Sequence, residues 1–193
     1  MKRFSFKSFL KHIALVIVAM CSVLVVALLL CNLGPVRIEE KAKELKAYCI
    51  RYGYNTDYGI LADYSRFSLQ RRFYVYDFKQ EKIIMRSLSG HGKGGNSTIF
   101  NADFSNQNGS NCSSIGHYKL GRQRHMYNKP MVPAIELTGL DKTNSNALSR
   151  GILIHPSAIP LSLGCITLPL NKYLQLADFL NSKPKNIIMW VYE

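Results

Sequence analysis

Apolar and polar residues alternate in three different ways along the chain. Residues 13–30 form an uncharged apolar run of about 18 residues, just long enough to cross a bilayer as a helix. After Pro35, apolar residues recur at helical spacing and predict a short helix that ends near Gly53. Its apolar face consists of Ile38, Ala42, Leu45, Cys49 and Tyr52. From residue 58 onward, short apolar segments alternate with polar loops.

This last segment predicts a sheet of short strands that are rich in β-branched and aromatic residues. The candidate strands are 59–64, 72–78, 83–86, 117–120, 132–137, 151–155, 165–168 and 186–192. One helix is predicted over residues 171–181. Its apolar face would consist of Leu170, Leu174, Ala177 and Leu180. The loop 90–114 is rich in Gly, Asn and Ser and is expected to be irregular and exposed. Many short strands favour a mainly β sandwich or barrel.

Positive residues before the apolar run predict its orientation. Lys2, Arg3, Lys7 and Lys11 precede the run, whereas positive and acidic residues are mixed behind it. The positive-inside rule therefore puts the N-terminus in the cytoplasm and the rest of the chain outside. The run is longer than the apolar part of a typical signal peptide and has no small residue before Cys31. We therefore expect an uncleaved transmembrane anchor, without lipid attachment at that cysteine.

These patterns divide the chain into three predicted parts: a basic tip with a signal anchor (1–31), a linker helix (32–57) and an extracytoplasmic domain (58–193). The formal net charge of +13 favours an anionic partner, such as a carboxylate-rich cell wall or lipid headgroups. Nucleic acid is not expected, because the chain is anchored and has no zinc-finger or helix-turn-helix pattern. The sequence has no CxxC pair and no Cys/His cluster, so neither a metal nor a cofactor is predicted.

The clearest candidate for chemistry is the pair of His155 and Cys165. The histidine ends an apolar segment, and the cysteine follows in the run Ser162-Leu163-Gly164-Cys165. A thiol becomes a strong nucleophile as the thiolate, and an imidazole is the usual group that removes its proton. Gly164 suits a tight turn in which a backbone N–H donates to the oxyanion formed on attack. The alternative is a cysteine buried in a core strand, where most free cysteines lie.

Two further motifs have both a functional and a structural interpretation. The run His91-Gly92-Lys93-Gly94-Gly95 lacks the Gly-Lys-Ser/Thr of a phosphate loop, so it predicts either a plain turn or a substrate-facing loop. Arg150 precedes the histidine segment and is suited either to a substrate carboxylate or to a structural ion pair. The order of histidine before cysteine disfavours papain-like enzymes. The absence of any arginine after Arg150 disfavours sortases.

Five motifs of the segment 58–193 occur in the order of a known family. They are His91-Gly92-Lys93-Gly94, Ser114-Ile115-Gly116-His117-Tyr118, Gly139-Leu140-Asp141-Lys142-Thr143-Asn144-Ser145-Asn146-Ala147, Arg150-Gly151-Ile152-Leu153-Ile154-His155 and Ser162-Leu163-Gly164-Cys165. Together they resemble the murein L,D-transpeptidase catalytic domain family, a branch of the YkuD-like enzymes. The resemblance implies a mainly β, YkuD-like L,D-transpeptidase β-sandwich with one or two short helices.

The resemblance also implies an enzyme that acts on peptidoglycan stem peptides. Cys165 would attack the carbonyl after the L-centre of a diamino acid, D-alanine would leave, and an amine of a second stem would resolve the thioester into a cross-link. His155 matches the family's base, and the main-chain carbonyl of Pro156 would accept its Nδ1 proton. Substrate-binding roles are implied for Ser162, Gly164, Arg150, His91 and Tyr118.

The chain departs from the family pattern around the cysteine. The stretch between His155 and Cys165 is shorter than the YkuD-like pattern, which affects the lid that usually covers the site. Leu163 replaces a common histidine, and Thr167 replaces a common asparagine. Two alternatives stay open. One is an L,D-carboxypeptidase or endopeptidase with the same thioester chemistry, and the other is a catalytically silent wall-binding domain that retains the fold.

Overall fold

A computed structural model describes residues 6–126, 129–183 and 185–193 of the protein, with the side chains of 6–10, 24, 26–36 and 129–130 excepted. Lys2 and Arg3 of the predicted cytoplasmic tip lie outside the described residues, as does the side chain of Cys31. The helices and strands are α1 Phe6–Tyr52, β1 Tyr58–Asp63, β2 Phe73–Asp77, β3 Lys82–Ser87, β4 His91–Gly92, β5 Gly116–Met126, β6 Lys129–Gly139, β7 Leu153–Pro156, β8 Leu161–Ser162, β9 Ile166–Leu168, α2 Leu170–Ser182 and β10 Ile188–Tyr192.

Contacts between Cα atoms divide the chain into two compact units, Met1–Glu40 and Lys41–Glu193. The first unit contains the larger part of α1. In the described part of the chain, no helix combines the length and the apolar character that a membrane crossing requires. The anchor predicted over residues 13–30 therefore stays a prediction.

The predicted helix before the sheet ends where the sequence indicated, but it is not a separate short helix, because its residues belong to α1, which has 47 residues and begins at Phe6. Helix α1 ends at Tyr52, and Gly53 follows with a φ of +72°, which a residue with a side chain rarely adopts. Within the second unit, Ala42, Leu45 and Cys49 are buried as expected. Tyr52 is 56% exposed, so its assignment to the buried face was wrong.

The second unit is mainly β, as predicted, and is built on one large sheet. Its strand order is β3-β2-β1-β10-β5-β6-β7-β9, and β4 pairs separately with β8. Strands β1 and β10 are parallel, as are β7 and β9, while the other neighbours of the large sheet are antiparallel. Gly90, just after β3, pairs with Thr167 on β9. The sheet therefore curls until both of its edge strands approach the same segment.

The longest strands were predicted too short. The candidates 117–120 and 132–137 belong to β5 and β6, a hairpin of two eleven-residue strands. Residues 121–125 are mostly polar and basic, so they do not show the alternation by which a half-buried strand is recognised. Backbone pairing nevertheless continues through Arg124 and Ala134.

Helix α2 confirms the predicted helix, but it buries a different face. Tyr173, Leu176 and Ala177 are buried, whereas Leu170 and Leu174 are 57% and 48% exposed. Apolar residues occur at helical spacing on two adjacent faces of this helix. The face that packs into the core is the one that carries the aromatic Tyr173. Only Ala177 of the predicted face is fully buried.

The core lies on the face of the sheet that α2 covers. Ile135, Ile154 and Ile166 are paired across β6, β7 and β9 and are at most 1% exposed. Because successive strand residues point to opposite faces, His155 and Thr167 lie on the other face. This alternation positions the chemical groups described below.

The loop 90–114 is irregular, as predicted, but its first residues are not exposed. The side chain of His91 is buried, and its Nδ1 lies 2.7 Å from Nη2 of Arg72 and 3.2 Å from Oγ of Ser68. Nε2 lies 3.1 Å from the Asn101 carbonyl. Since Arg72 can only donate, Nδ1 accepts and Nε2–H donates, so the imidazole is neutral. Arg72 itself lies over the Tyr64 ring.

We expect this buried cluster to make stability depend on pH. Burial and the neighbouring Arg72 charge lower the pKa of His91 from 6.5 to about 4. Between these values the unfolded chain binds a proton that the folded chain does not. The free energy of unfolding should be unaffected above the unfolded pKa and should fall by about 3 kcal/mol as the pH drops from 6.5 to 4. Urea unfolding of the full chain across this window measures the slope.

The matched variant is His91→Asn, which keeps an acceptor toward Arg72 but cannot bind a proton. It should be less stable than wild type near pH 7 and should lack the His91 component of the pH dependence. Equal slopes for the two proteins between pH 6.5 and 4 would contradict the neutral, buried state of His91.

Candidate active site

The pairing of β7 with β9 brings His155 and Cys165 together. His155 is in register with Thr167, and Cys165 lies directly before β9, two residues before Thr167, so the alternation of strand residues predicts the same face for its side chain. The strand spacing and a two-residue rise put the two Cα atoms about 8 Å apart, which an imidazole and a thiol can bridge. Both residues are partly exposed. Substrate can therefore reach them from the outer face of the sheet.

The imidazole of His155 is oriented by its own chain. Its Nδ1 lies 3.1 Å from the main-chain oxygen of Pro156, the contact that the family resemblance implied. Nδ1–H therefore donates to this carbonyl, which leaves Nε2 with a lone pair. That tautomer can accept a proton from a thiol.

A tight turn holds Cys165. Gly164 has a φ of +114°, and a Cβ at this position would lie 2.9 Å from Cδ1 of Ile152 and 3.0 Å from the Cys112 carbonyl oxygen. Both the conformation and the space require glycine. The Ser162 hydroxyl accepts from Gly164 N–H at 3.1 Å and donates to the Cys165 carbonyl at 2.6 Å. Two residues with implied substrate-binding roles thus brace the turn.

Arg150 holds the loop 105–114, which lies against this turn. Its Nη1 donates to the Ser105 carbonyl and to Oγ of Ser114, both at 2.8 Å. Its Nη2 donates to the Cys112 carbonyl at 2.6 Å and to Oγ of Ser110 at 3.2 Å. These acceptors are neutral, so the predicted ion pair is not the arrangement observed. The same contacts occupy the donors that a substrate carboxylate would need.

Opposing effects act on the thiol of Cys165. Burial raises its pKa, while a hydrogen bond with the Leu153 backbone and the positive charge of Arg150 lower it. Burial has the largest effect, so the resting group is the neutral thiol. Its Sγ lies 3.8 Å from the Gly151 carbonyl oxygen. Ionisation therefore needs a base at the moment of attack.

Two predicted substrate-binding side chains lie in the interior. His91 is 0% exposed and Tyr118 is 1% exposed, which corrects the expectation that they contact a substrate directly. The Tyr118 hydroxyl donates to the Ser114 carbonyl at 2.7 Å. The main-chain oxygen of His91 lies 3.2 Å from Oγ of Ser162. His91 thus contacts the turn through its main chain, and Tyr118 supports the loop beside the turn.

Ser113 is a positioning residue that the sequence did not reveal. Its hydroxyl accepts from Gly92 N–H at 2.9 Å and donates to the Gly164 carbonyl at 3.0 Å. It thus connects β4 with the turn before Cys165. A serine in a Gly/Asn/Ser-rich loop carries no local signal of such a contact. Among the described residues, no three His, Cys, Asp or Glu side chains form a group that could hold a metal ion.

A family model described as the L,D-transpeptidase catalytic domain matches residues 36–190. The match begins within α1, before the predicted domain boundary at residue 58. No curated protein matches the chain.

Several solved structures are similar to the chain. An L,D-transpeptidase from Xylanimonas cellulosilytica is 12% identical with a TM-score of 0.44, over 76% of this chain and 68% of that chain. An L,D-transpeptidase from Mycobacterium tuberculosis is 15% identical with a TM-score of 0.46, over 71% and 58%. The protein Bd1075 from Bdellovibrio bacteriovorus is 20% identical with a TM-score of 0.46, over 73% and 49%. The chain thus spans about half to two thirds of these proteins.

We expect Arg150→Met to raise the pKa of the Cys165 thiol, because the variant removes a nearby positive charge. The thiolate fraction near pH 7 should therefore be smaller, and alkylation by iodoacetamide should be slower than in wild type. The measurement is the pH profile of alkylation at Cys165, read by peptide mass analysis because Cys21 is also exposed.

The control is Arg150→Lys, which keeps the charge but loses the planar fork of donors. Its profile should have a midpoint between those of wild type and Arg150→Met, although both variants should be less stable than wild type. Identical midpoints for wild type and Arg150→Met would show that the arginine has only a structural role.

Proposed function

The chain belongs to the L,D-transpeptidase catalytic domain family, and on that premise we propose that it is a peptidoglycan L,D-transpeptidase with Cys165 as its nucleophile. The observation that carries the proposal is the placement of a partly exposed thiol and a carbonyl-oriented imidazole on one face of neighbouring strands. A silent wall-binding domain has no need of this arrangement.

In the first half of the reaction, Nε2 of His155 takes the proton of the Cys165 thiol as sulfur attacks the carbonyl after the L-centre of a diamino acid. The backbone N–H of Cys165 follows the Gly164 turn and is the donor we assign to the oxyanion, because Gly164 N–H already donates to Ser162. The C–N bond then breaks. D-alanine leaves with the proton that His155 carried, and a thioester remains.

In the second half, an amine of another stem peptide attacks the thioester. His155 accepts the proton of the amine, the C–S bond breaks, and the proton returns to the sulfur. A new amide joins the two stems. If water attacks instead, the product is a free carboxylate, which is the carboxypeptidase alternative. Attack by the amine and attack by water both need His155 and Cys165. Analysis of the products therefore distinguishes a transpeptidase from a carboxypeptidase.

We also propose that the domain works outside the cytoplasm, in the periplasm of a Gram-negative bacterium, and is tethered there by residues 13–30. The support comes from the sequence, in which four positive residues precede an uncharged apolar run. The net charge of +13 includes those four residues, and the part of the chain after the run still carries +9, which suits an anionic wall.

We expect Cys165→Ser to fold like wild type and to lose turnover of muropeptides, because a serine hydroxyl is scarcely ionised near pH 7. His155→Ala should lose about 10² to 10⁴-fold in the rate of thioester formation. Mass analysis of products and of the protein itself measures both effects.

The matched controls are Cys49→Ser and Cys112→Ser, which replace buried cysteines and should retain turnover. A carbapenem, as a strained acyl donor, should add covalently to wild type and not to Cys165→Ser. Turnover by Cys165→Ser at near the wild-type rate would exclude the thiol mechanism.

The proposed location is tested with a reporter fused after Glu193. An enzyme that is active only outside the cytoplasm, such as alkaline phosphatase, should be active in this fusion. Replacing the four positive residues before the apolar run with neutral ones should lower that activity. A fusion active only with a cytoplasmic reporter would refute both the orientation and the wall substrate.

A further inference from the structure

Two adjoining cavities share lining residues and are together called the groove; the smaller of them lies against the segment that follows His155. The larger cavity has a volume of about 370 Å³ and lies between β3 and the start of α2. The smaller has a volume of about 90 Å³ and lies against residues 157–160, directly after Pro156. Leu88 and Pro169 line both cavities. The groove therefore runs from the segment behind His155 to the far edge of the sheet.

The far end of the groove is positively charged. Arg71, Arg86 and Lys172 line it, and no acidic residue is among its lining residues. Nζ of Lys172 donates to the neutral Oε1 of Gln175 at 2.9 Å. Three cations that share one cavity without a carboxylate attract an anion, and two arginines can bind a carboxylate through paired hydrogen bonds.

The near end of the groove is apolar and adjoins the reactive pair. Leu69 and Ile159, which are 63% and 66% exposed, line it together with Thr167. Thr167 is in register with His155 and lies two residues, or about 7 Å of strand, from Cys165.

We propose that this groove binds an acidic peptide in extended form and holds one of its carboxylates between Arg71, Arg86 and Lys172. The inference rests on the proposed function, because it identifies the groove as the seat of a carboxylate-bearing stem peptide. The apolar near end receives the aliphatic part of the peptide next to the thioester. The groove thus selects substrates that carry a free carboxylate at this distance from the reacting carbonyl.

The test compares two double variants that remove the same charge from the full-length protein. Arg86→Gln with Lys172→Gln removes two of the three positive charges of the groove. Lys119→Gln with Lys185→Gln removes two positive charges from another cavity, of about 480 Å³. The substrates are a synthetic stem tetrapeptide with a free side-chain carboxylate and the same peptide with that carboxylate amidated. Release of D-alanine gives kcat and KM.

For the acidic peptide, the groove variant should raise KM about tenfold with kcat within twofold of wild type. The control variant should change KM less than twofold. On the amidated peptide, wild type and the groove variant should behave alike. An equal effect of both variants, or an equal effect on both peptides, would overturn the proposal.

A binding measurement separates this inference from the proposed function. Calorimetry with Cys165→Ser follows binding of the acidic tetrapeptide without turnover. One outcome is that wild type releases no D-alanine, while the groove substitutions still weaken binding about tenfold in the Cys165→Ser background. In that case the proposed function is wrong and the proposed role of the groove is right. If the groove substitutions do not change the binding of the tetrapeptide, the proposed role of the groove is wrong, whether or not the enzyme releases D-alanine.

Discussion

The parallel pairing of β7 with β9 is the constraint on which the candidate site depends. Parallel neighbours usually need a connection of a dozen or more residues, but only residues 157–165 separate these strands. The connection must leave the sheet, run back and re-enter within nine residues. It does so by pairing β8 with β4 and by turning at Gly164. The sharp turn therefore follows from the strand pairing, and it sets Cys165 on the face of His155.

Hydrogen bonds hold this turn in place, whereas a longer connection would be held by the packing of its side chains. Ser162 braces it from within, Ser113 ties its Gly164 carbonyl to β4, and Arg150 ties the adjoining loop. The buried Arg72 holds His91 at the start of β4 in a similar way. Neutral acceptors receive the hydrogen bonds of both guanidinium groups. The short stretch between His155 and Cys165 is thus stabilised by hydrogen bonds from residues that are distant in the sequence.

The sequence indicated the features that lie within one contiguous segment. The mainly β fold, the end of α1 and the position of α2 follow from local periodicity. Contacts that join distant segments could not be predicted: Ser113 and Gly164 are 51 residues apart, and Arg150 and Ser105 are 45 apart. His91 was misjudged for the same reason. A Gly-rich polar motif suggests an exposed loop, and only the fold shows that its imidazole meets Arg72.

The electrostatics of the turn follow from how Arg150 is held. A guanidinium paired with a carboxylate would present little net charge to its neighbours. Here its acceptors are two carbonyl and two hydroxyl oxygens, so the positive charge still acts on the Cys165 thiol. Burial keeps that thiol neutral at rest, and the arginine lowers the cost of its ionisation during attack. The same residue therefore fixes the loop that lies against the turn and favours the thiolate, which two separate residues would otherwise have to do.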